Sequence, residues 1–439
     1  MNISVNSKKV IGKIKPMHGV GQPPFAGSNF GMFHFLTEAG IPYSRLHDVG
    51  GAYGGFRWVD IPNIFRDFDK DPTDPESYDF TFTDMLITAL MESGVEPFFR
   101  LGVTIENDAA IKSYRIDPPS DPCKWAVICE HIIRHYTEGW ADGFKYDIKY
   151  WEIWNEPDNY EEPELNQLWK GTKEQYYELY GVASKHLKKC FPHLKIGGYG
   201  SCGFYALQNN YSDAANSSPR FDYFIEFFDG FLDYVRANNC PFDFFTWHSY
   251  SYNIEYTKEY AEYARKRLDE AGFKDTETSC NEWNAKVSQR GTAYHAALTC
   301  GMLLAFQNTP LDNAMFYDAR FGTSVYGSMF NPLTAEPFPT YYAFKAFNEL
   351  YKLGEQIEAE IDEKDIYAVA AKRGDSACVV IANPTDLDTE LSLSVEGKVT
   401  KCVITCEEKT EEEIPMPEIL PKNSFLTVSF ALNNLEEEF

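Results

Sequence analysis

Short apolar runs alternate along most of the chain with longer stretches whose apolar residues recur at helical spacing. Apolar residues at i, i+3 and i+4 mark one face of a helix, whereas a continuous short apolar run is typical of a buried strand. Runs of the second kind predict eight strands, at 13–21, 42–50, 95–103, 147–155, 193–200, 242–250, 277–285 and 312–320. Repeated strand–helix pairs of this number predict an α/β fold, a (β/α)8 TIM barrel rather than an open sheet.

The connections between these elements differ in length. Helix-to-strand turns are short and contain Gly or Pro, as in Ala39–Pro42 and Ser93–Pro97. Strand-to-helix segments are long, and they occupy 50–80, 103–122, 200–222 and 318–338. Because a barrel enzyme carries its active site on the loops at the C-terminal ends of its strands, the residues that end the strands are the candidates for function.

The helical spacing disappears after Gly354. Short alternating apolar runs separated by turn residues follow, without a helix between them. We therefore predict a catalytic barrel over 11–354 and a small β-sandwich over 355–439, to which residues 1–10 add a strand.

Composition narrows the possible partners of the chain. The 439 residues carry a formal net charge of −26, which argues against nucleic acid and against anionic membrane surfaces. No window reaches the roughly 18 consecutive apolar residues that a membrane-spanning helix needs. The N-terminus lacks an apolar signal core and the ten cysteines are scattered singly, so we predict a cytoplasmic protein with reduced thiols. A homo-oligomer is left open.

Two predicted strands end in similar polar tripeptides. Asn155–Pro157 follows the fourth strand, and Asn281–Trp283 lies on the seventh. Those strands lie roughly across a barrel from one another, so Glu156 and Glu282 can converge on a ligand between them. A converging pair of carboxylates is the equipment of glycoside hydrolysis, in which one acid protonates the leaving oxygen and the other attacks or activates water.

The neighbours of Glu156 suit the acid of such a pair. We expect Trp151, Ile153 and Trp154 to exclude water, which disfavours the ionised carboxylate and would keep Glu156 protonated near neutral pH. Asn155 can donate a hydrogen bond to a sugar hydroxyl. The competing interpretation is that each glutamate is a polar strand terminus paired with an arginine.

The segments "WEIWNEPDN" and "TSCNEWNA" resemble the catalytic motifs of glycoside hydrolase family 39, and the resemblance extends over essentially the whole chain. Members are retaining (β/α)8 glycosidases with catalytic glutamates on strands four and seven and a C-terminal β-sandwich. The resemblance implies that Glu156 is the acid/base and Glu282 the nucleophile. It also implies substrate-site roles for residues of "SRLHDVGG" and "TWHSY", namely Arg45, His47, His248 and Tyr250. Tyr250 can donate a hydrogen bond to Glu282. Arg45 either contacts the sugar or is the buried partner of Glu282.

Two positions depart from the family pattern. Arg100 stands where members often have a carboxylate, and Tyr317 stands where the superfamily usually has a tryptophan. Both are predicted to contact the innermost sugar, and Trp283 is a further predicted substrate-binding residue. Arg100 either recognises a carboxylate-bearing sugar or pairs with Asp48 or Asp318, and we favour the pairing.

The sequence thus predicts a retaining exo-glycosidase of short plant-type oligosaccharides that needs no metal or cofactor. The resemblance implies β-xylosidase first, with α-L-arabinofuranosidase, α-L-iduronidase or a disaccharide-releasing activity as alternatives. A sugar-binding protein without turnover is the remote alternative. His131 and His135 have a metal-capable i,i+4 spacing, but their helix predicts a solvated face outside the barrel.

Overall fold

A closed barrel of parallel strands, surrounded by helices, precedes a sheet domain. The computed structural model describes residues 1–25, 29–49, 59–104, 116–208, 219–321 and 326–432. After the N-terminal strand β1 (Asn2–Lys13), the barrel strands follow in chain order as β2 (Gly19–Gly21), β3 (Tyr43–Leu46), β4 (Glu96–Leu101), β5 (Tyr150–Ile153), β6 (Lys195–Ser201), β7 (Phe244–Ser249), β8 (Glu277–Trp283) and β9 (Asn313–Phe316). Parallel pairing of β9 with β2 closes the barrel, so the predicted (β/α)8 fold is confirmed.

Nine helices surround or connect the barrel strands in the described part of the chain, and residues at their ends cap some of them. In the described part of the chain they are α1 (His34–Glu38), α2 (Ile61–Ile64), α3 (Thr81–Glu92), α4 (Pro122–Thr137), α5 (Lys173–Cys190), α6 (Pro219–Ala237), α7 (Ile254–Glu270), α8 (Ala293–Gln307) and α9 (Pro339–Leu353). Thr172 caps α5 with a capping box, because its side chain accepts from Gln175 N while the Gln175 side chain accepts from Thr172 N. None of these helices is long and apolar enough to cross a membrane.

The first barrel strand is shorter than predicted. Only Gly19–Gly21 of the predicted run 13–21 is in the barrel, and Lys13 belongs to β1 instead. Pro16 separates the two strands, since it has no N–H to contribute to a ladder. The long segments predicted at 50–80, 103–122, 200–222 and 318–338 lie partly outside the described residues.

The C-terminal region is a mixed sheet with strand order β14-β1-β10-β11-β12-β18-β15-β16, beside a two-stranded sheet of β13 and β17. Its strands are β10 (Glu355–Ile361), β11 (Tyr367–Arg373), β12 (Ser376–Asn383), β13 (Thr389–Glu390), β14 (Ser392–Val395), β15 (Lys398–Thr405), β16 (Glu412–Glu413), β17 (Ile419–Leu420) and β18 (Ser424–Ala431). β1 pairs antiparallel with β10, and β11 and β12 pack on α8 and α9. The domain boundary after residue 354 stays a prediction.

The barrel interior changes from apolar to charged along the strand direction. Phe98, Tyr150, Phe244 and Met315 form an apolar cluster in the lower part of the barrel. Because alternate residues of a strand face the same side, Glu152 follows Tyr150 inward. The charged layer at the C-terminal ends of the strands therefore sits on a packed aromatic floor.

Candidate active site

Glu156 is placed by a sharp bend of the chain directly after β5. Trp154 and Glu156 both have left-handed backbone angles, with φ of 73° and 45°. Such angles are strained for residues other than glycine and persist only where the surroundings hold them. Here Glu156 N donates to Gly200 O at 2.9 Å, which ties the bend to the end of β6. The bend directs the Glu156 side chain into the barrel mouth, where 17% of it is exposed.

Glu282, the penultimate residue of β8, reaches the same space. It is almost fully buried, at 4% exposure. Its Oε1 accepts from Arg45 Nη1 at 2.7 Å, and its Oε2 accepts from the Tyr250 hydroxyl at 2.6 Å. Two donors, one of them charged, fix the orientation of this carboxylate.

His248 lies between the two carboxylates. Its Nδ1 is 2.7 Å from Glu156 Oε1 and 3.5 Å from Glu282 Oε2. The nearest ligand atoms of all three residues lie within 4.8 Å of one another. A metal ion could bind three such groups, but each carboxylate already has donors that account for its charge. The geometry thus brings together the two glutamates that the sequence predicted.

The proton of this cluster rests on the histidine. Burial raises the pKa of Glu156, but the hydrogen bond and charge of His248 outweigh it and hold the pKa below its usual value. Burial lowers the pKa of His248, whereas Glu282 and Glu156 together raise it above its usual value. We expected Glu156 to be protonated at rest. The structure contradicts this, because the contact with His248 favours an ionised Glu156 beside a protonated His248.

The aromatic residues that were expected to keep water from Glu156 face the helices instead. The Trp154 ring contacts Trp125 and Trp169, and its Nε1 donates to Leu168 O. Trp151 stacks on Phe99, also away from the barrel interior.

Trp283 faces the same way, and its predicted sugar contact is wrong. Its ring packs edge-on against Phe306 of α8 and Phe316 of β9. The pairing of β8 with β9 is irregular between Cys280 and Trp283, so Asn281 and Glu282 both face inward and Trp283 faces outward.

Arg45 is held by a second glutamate that the sequence analysis missed. Glu152 is fully buried, and its Oε2 accepts from Arg45 Nε at 2.7 Å. Its Oε1 accepts from Thr246 Oγ1 at 2.6 Å and from Asn281 Nδ2 at 2.7 Å. The available signal was the strand alternation, which turns Glu152 inward, whereas the register of β3, β4 and β5 brings it to Arg45.

Asn155 completes this network on the side of Glu156. Its Oδ1 accepts from Arg45 Nη2 at 2.6 Å. This bond fixes the amide orientation, so that Nδ2 is the atom left to donate to a ligand. Arg45 is therefore the buried partner of Glu282, as one of the two predicted alternatives has it.

A further layer of polar residues lies beside Glu282. His47 Nε2 is 3.2 Å from Asp48 Oδ1 and 3.8 Å from Glu282 Oε1. Burial and the charges of Arg100 and Arg45 hold the pKa of His47 well below its usual value, so its ring is neutral. Tyr317 donates to Asp48 Oδ2 at 2.5 Å.

Arg100 pairs with a residue that the sequence analysis did not name. Its Nη2 donates to Asp60 Oδ1 at 2.7 Å, and both side chains are fully buried. Arg100 is therefore paired with an aspartate, as we favoured, but the prediction that the partner is Asp48 or Asp318 is wrong. Asp60 lies between β3 and β4 in the chain, and its Oδ2 also accepts from Thr104 N at 2.9 Å.

The competing histidine pair is part of the helix packing. His135 is buried at 2% exposure, where Asp84 Oδ1 and Trp140 O each lie 2.9 Å from one of its ring nitrogens. The predicted solvated face is thus wrong for His135, and its ring nitrogens are satisfied by the protein.

An eight-stranded barrel with two facing glutamates at its C-terminal end, each on a different strand, is the arrangement of a glycoside hydrolase. Residues 38–391 match the sequence profile described as glycosyl hydrolases family 39. The chain belongs to that family. This agrees with the resemblance carried by the two glutamate motifs.

Individual relatives agree with this assignment. The chain is 25% identical over 430 residues to a β-xylosidase of Caldicellulosiruptor saccharolyticus, which covers 89% of this chain and 78% of that protein. It is 23% identical over 366 residues to a β-xylosidase of Geobacillus stearothermophilus, covering 72% and 67%. The crystal structure of a glucosidase from Croceicoccus marinus has a similar fold, with a TM-score of 0.77 at 19% identity over 99% of both chains.

Proposed function

We propose that this protein is a retaining glycosidase in which Glu282 is the nucleophile and Glu156 the acid/base. The observation that carries the proposal is the short separation of the two carboxylates, whose nearest oxygens lie within 4.8 Å. Retaining enzymes hold their carboxyl groups about 5–5.5 Å apart, whereas inverting enzymes need about 6.5–9.5 Å to admit a water.

The environments of the two glutamates support this division of roles. Glu282 has the deeper position and two strong donors, Arg45 and Tyr250, which hold its carboxylate in one orientation. Glu156 is more exposed, and its partner His248 carries a proton. A group that must exchange protons with an aglycone and then with water belongs at the open side of the site.

In the first step a Glu282 oxygen bonds to the anomeric carbon as the bond to the aglycone oxygen breaks. The proton that His248 Nδ1 holds at rest passes to Glu156 and from Glu156 to that oxygen, so the pair loses one proton and is left as a neutral His248 and an ionised Glu156. In the second step water bonds to the anomeric carbon and gives its proton back to the pair, while Glu282 leaves as a carboxylate. Two displacements return the original anomeric configuration.

The proposed substrate is a short β-xyloside, cleaved from its end in the cytoplasm. The family and two relatives named as β-xylosidases support this choice of sugar. Asn155 Nδ2 is available to donate to the sugar hydroxyl next to the reacting carbon. His47 and Tyr317 lie on the side of Glu282 and are proposed to contact the same sugar.

A panel of nitrophenyl glycosides, with NMR of the first-formed anomer, tests the sugar and the stereochemistry. We expect fastest hydrolysis of the β-xyloside with release of β-xylose. Release of the α-anomer would refute the retaining mechanism, and a faster reaction with another glycoside would reassign the sugar.

Two variants test the roles. Glu282→Ala should abolish hydrolysis of every substrate. Glu156→Ala should slow xylobiose strongly but an aryl glycoside with a good leaving group much less, because that leaving group needs little protonation. Equal losses on both substrates would contradict the acid role of Glu156.

A further inference from the structure

Three metal-ligating side chains meet on the outer helical layer, between α4 and α5. His186 and Cys190 are four residues apart in α5, so they lie on one face of that helix. Glu130 of α4 faces them across the helix–helix contact. Glu130, and not the neighbouring His131, is the residue of α4 that meets His186 of α5.

The ligand atoms of this cluster are already close together. His186 Nε2 donates to Glu130 Oε2 at 2.6 Å, and Cys190 Sγ lies 3.9 Å from His186 Nε2. All three ligand atoms lie within 4.8 Å of one another. Cys190 is a free thiol, and the His186 side chain is 31% exposed, so solvent and ions can reach the cluster.

The glutamate is oriented by a partner of its own. Arg134 Nε donates to Glu130 Oε1 at 2.7 Å, which leaves Oε2 for the histidine side. The Arg134 guanidinium in turn lies over the Phe191 ring at 5.1 Å, next to Cys190. Metal-ligating carboxylates in proteins commonly have a second hydrogen-bonded partner of this kind, because it fixes which oxygen faces the ion.

We propose that Glu130, His186 and Cys190 form a binding site for Zn²⁺, with water as the fourth ligand. A thiolate, an imidazole and a carboxylate are the ligands that zinc prefers. Around a tetrahedral zinc, ligand atoms at about 2.0–2.3 Å from the ion lie roughly 3–4 Å apart. The distance from His186 Nε2 is 2.6 Å to Glu130 Oε2 and 3.9 Å to Cys190 Sγ, and each lies within about 1 Å of this range.

Binding of the ion would displace protons from its ligands. Binding removes the proton that His186 shares with Glu130 and the thiol proton of Cys190, and both leave to solvent. Cys190 ends α5, whose next barrel strand begins at Lys195, so the cluster lies toward the N-terminal side of the barrel. The site is therefore remote from the two catalytic glutamates, and it is independent of the proposed hydrolysis.

Cobalt substitution tests the site without reference to activity. Co²⁺ bound to a thiolate gives a charge-transfer absorption in the near ultraviolet. Cys202 lies beside Glu156, because both contact Asn159 Nδ2, so Cys202→Ser is the control that excludes a band from the cluster of Glu156, His248 and Glu282. Under reducing conditions we expect the wild type to develop this band at one equivalent and to lose it when Zn²⁺ is added.

Variants locate the ligand. Cys190→Ser and His186→Gln should lack the band, whereas Cys123→Ser should keep it, because Cys123 is an exposed thiol at the start of α4. Glu130→Gln should weaken cobalt binding without removing the band. Absence of the band in the wild type, or its persistence in Cys190→Ser, would overturn the proposal.

Discussion

Glu152→Gln is the substitution that most directly tests how the charged layer of the barrel is held together. Glu152 and Glu156 lie four residues apart, yet the structure gives them different tasks. Glu152 is sealed inside and accepts from three donors, Arg45, Thr246 and Asn281. Glu156 stands at the open side of the site. We therefore expect the first to matter for stability and the second for catalysis.

The expected loss of folding free energy in Glu152→Gln follows from the hydrogen-bond donors around Glu152. A glutamine has one oxygen and one NH2 group where Glu152 has two oxygens. If the amide oxygen takes the Oε1 position it satisfies Thr246 and Asn281, and the NH2 then faces the N–H of Arg45 Nε at 2.7 Å. Arg45 keeps Glu282 and Asn155 as partners, so the cost is that of one lost hydrogen bond between charged groups, about 1.5–3 kcal/mol. Because whole domains are stable by only about 5–15 kcal/mol, this is a large fraction of the total.

Urea unfolding followed by tryptophan fluorescence measures the change, with Glu156→Gln as the matched control. Glu152→Gln should unfold at a clearly lower urea concentration. Glu156→Gln should unfold near the wild-type midpoint but lose activity on xylobiose. A Glu152→Gln midpoint within the error of the wild type would refute the idea that Glu152 compensates the buried charge of Arg45.

Three further predictions concern single contacts. Tyr250→Phe removes a hydrogen bond to the Glu282 carboxylate and should lower kcat/KM about 10- to 100-fold, the equivalent of about 1.5–3 kcal/mol, with little change in melting temperature. Burial raises the pKa of Asp158 from 3.8 to about 7, so the wild type should lose stability as the pH rises from 4 to 7. Asp158→Asn should remove that part of the slope when melting temperatures are compared across this range. Gly200→Ala should lower both urea midpoint and kcat, because φ is +65° and the new Cβ would lie 2.9 Å from Asn155 Oδ1. A normal kcat in Gly200→Ala would show that Asn155 is not positioned through this contact.

The two facing glutamates, Glu156 and Glu282, could be found from the sequence because their signal is local. Each stands after an asparagine at the end of an apolar run, and the order of the runs places those ends at one face of the barrel. The same reasoning gave the fold, since eight strand–helix repeats admit few other architectures.

The partners of buried charges could not be found in the same way. Asp60 is forty residues from Arg100 in the chain, and Glu152 is more than a hundred from Arg45. Such pairs depend on the register of neighbouring strands and on loop geometry, neither of which the local pattern encodes. Trp283 was misplaced for a different reason, because the pairing of β8 is irregular between Cys280 and Trp283 and the alternation of facing directions is interrupted there.

The resting protonation of Glu156 was also misjudged, and the reason bears on the choice of substrate. Burial alone would neutralise a carboxylate, but the site is built from opposite charges placed together. Arg45 is matched by Glu152 and Glu282, and Arg100 is matched by Asp60, so neither arginine has a net charge to offer a ligand. Among the described residues, Glu156 is likewise matched, by His248. Because the single charge of Arg45 serves two carboxylates, a sugar that carried its own carboxylate would meet more negative than positive charge beside Glu282. The charge balance of the pocket therefore favours a neutral glycone such as xylose over the uronic acid that an unpaired Arg100 would have suggested.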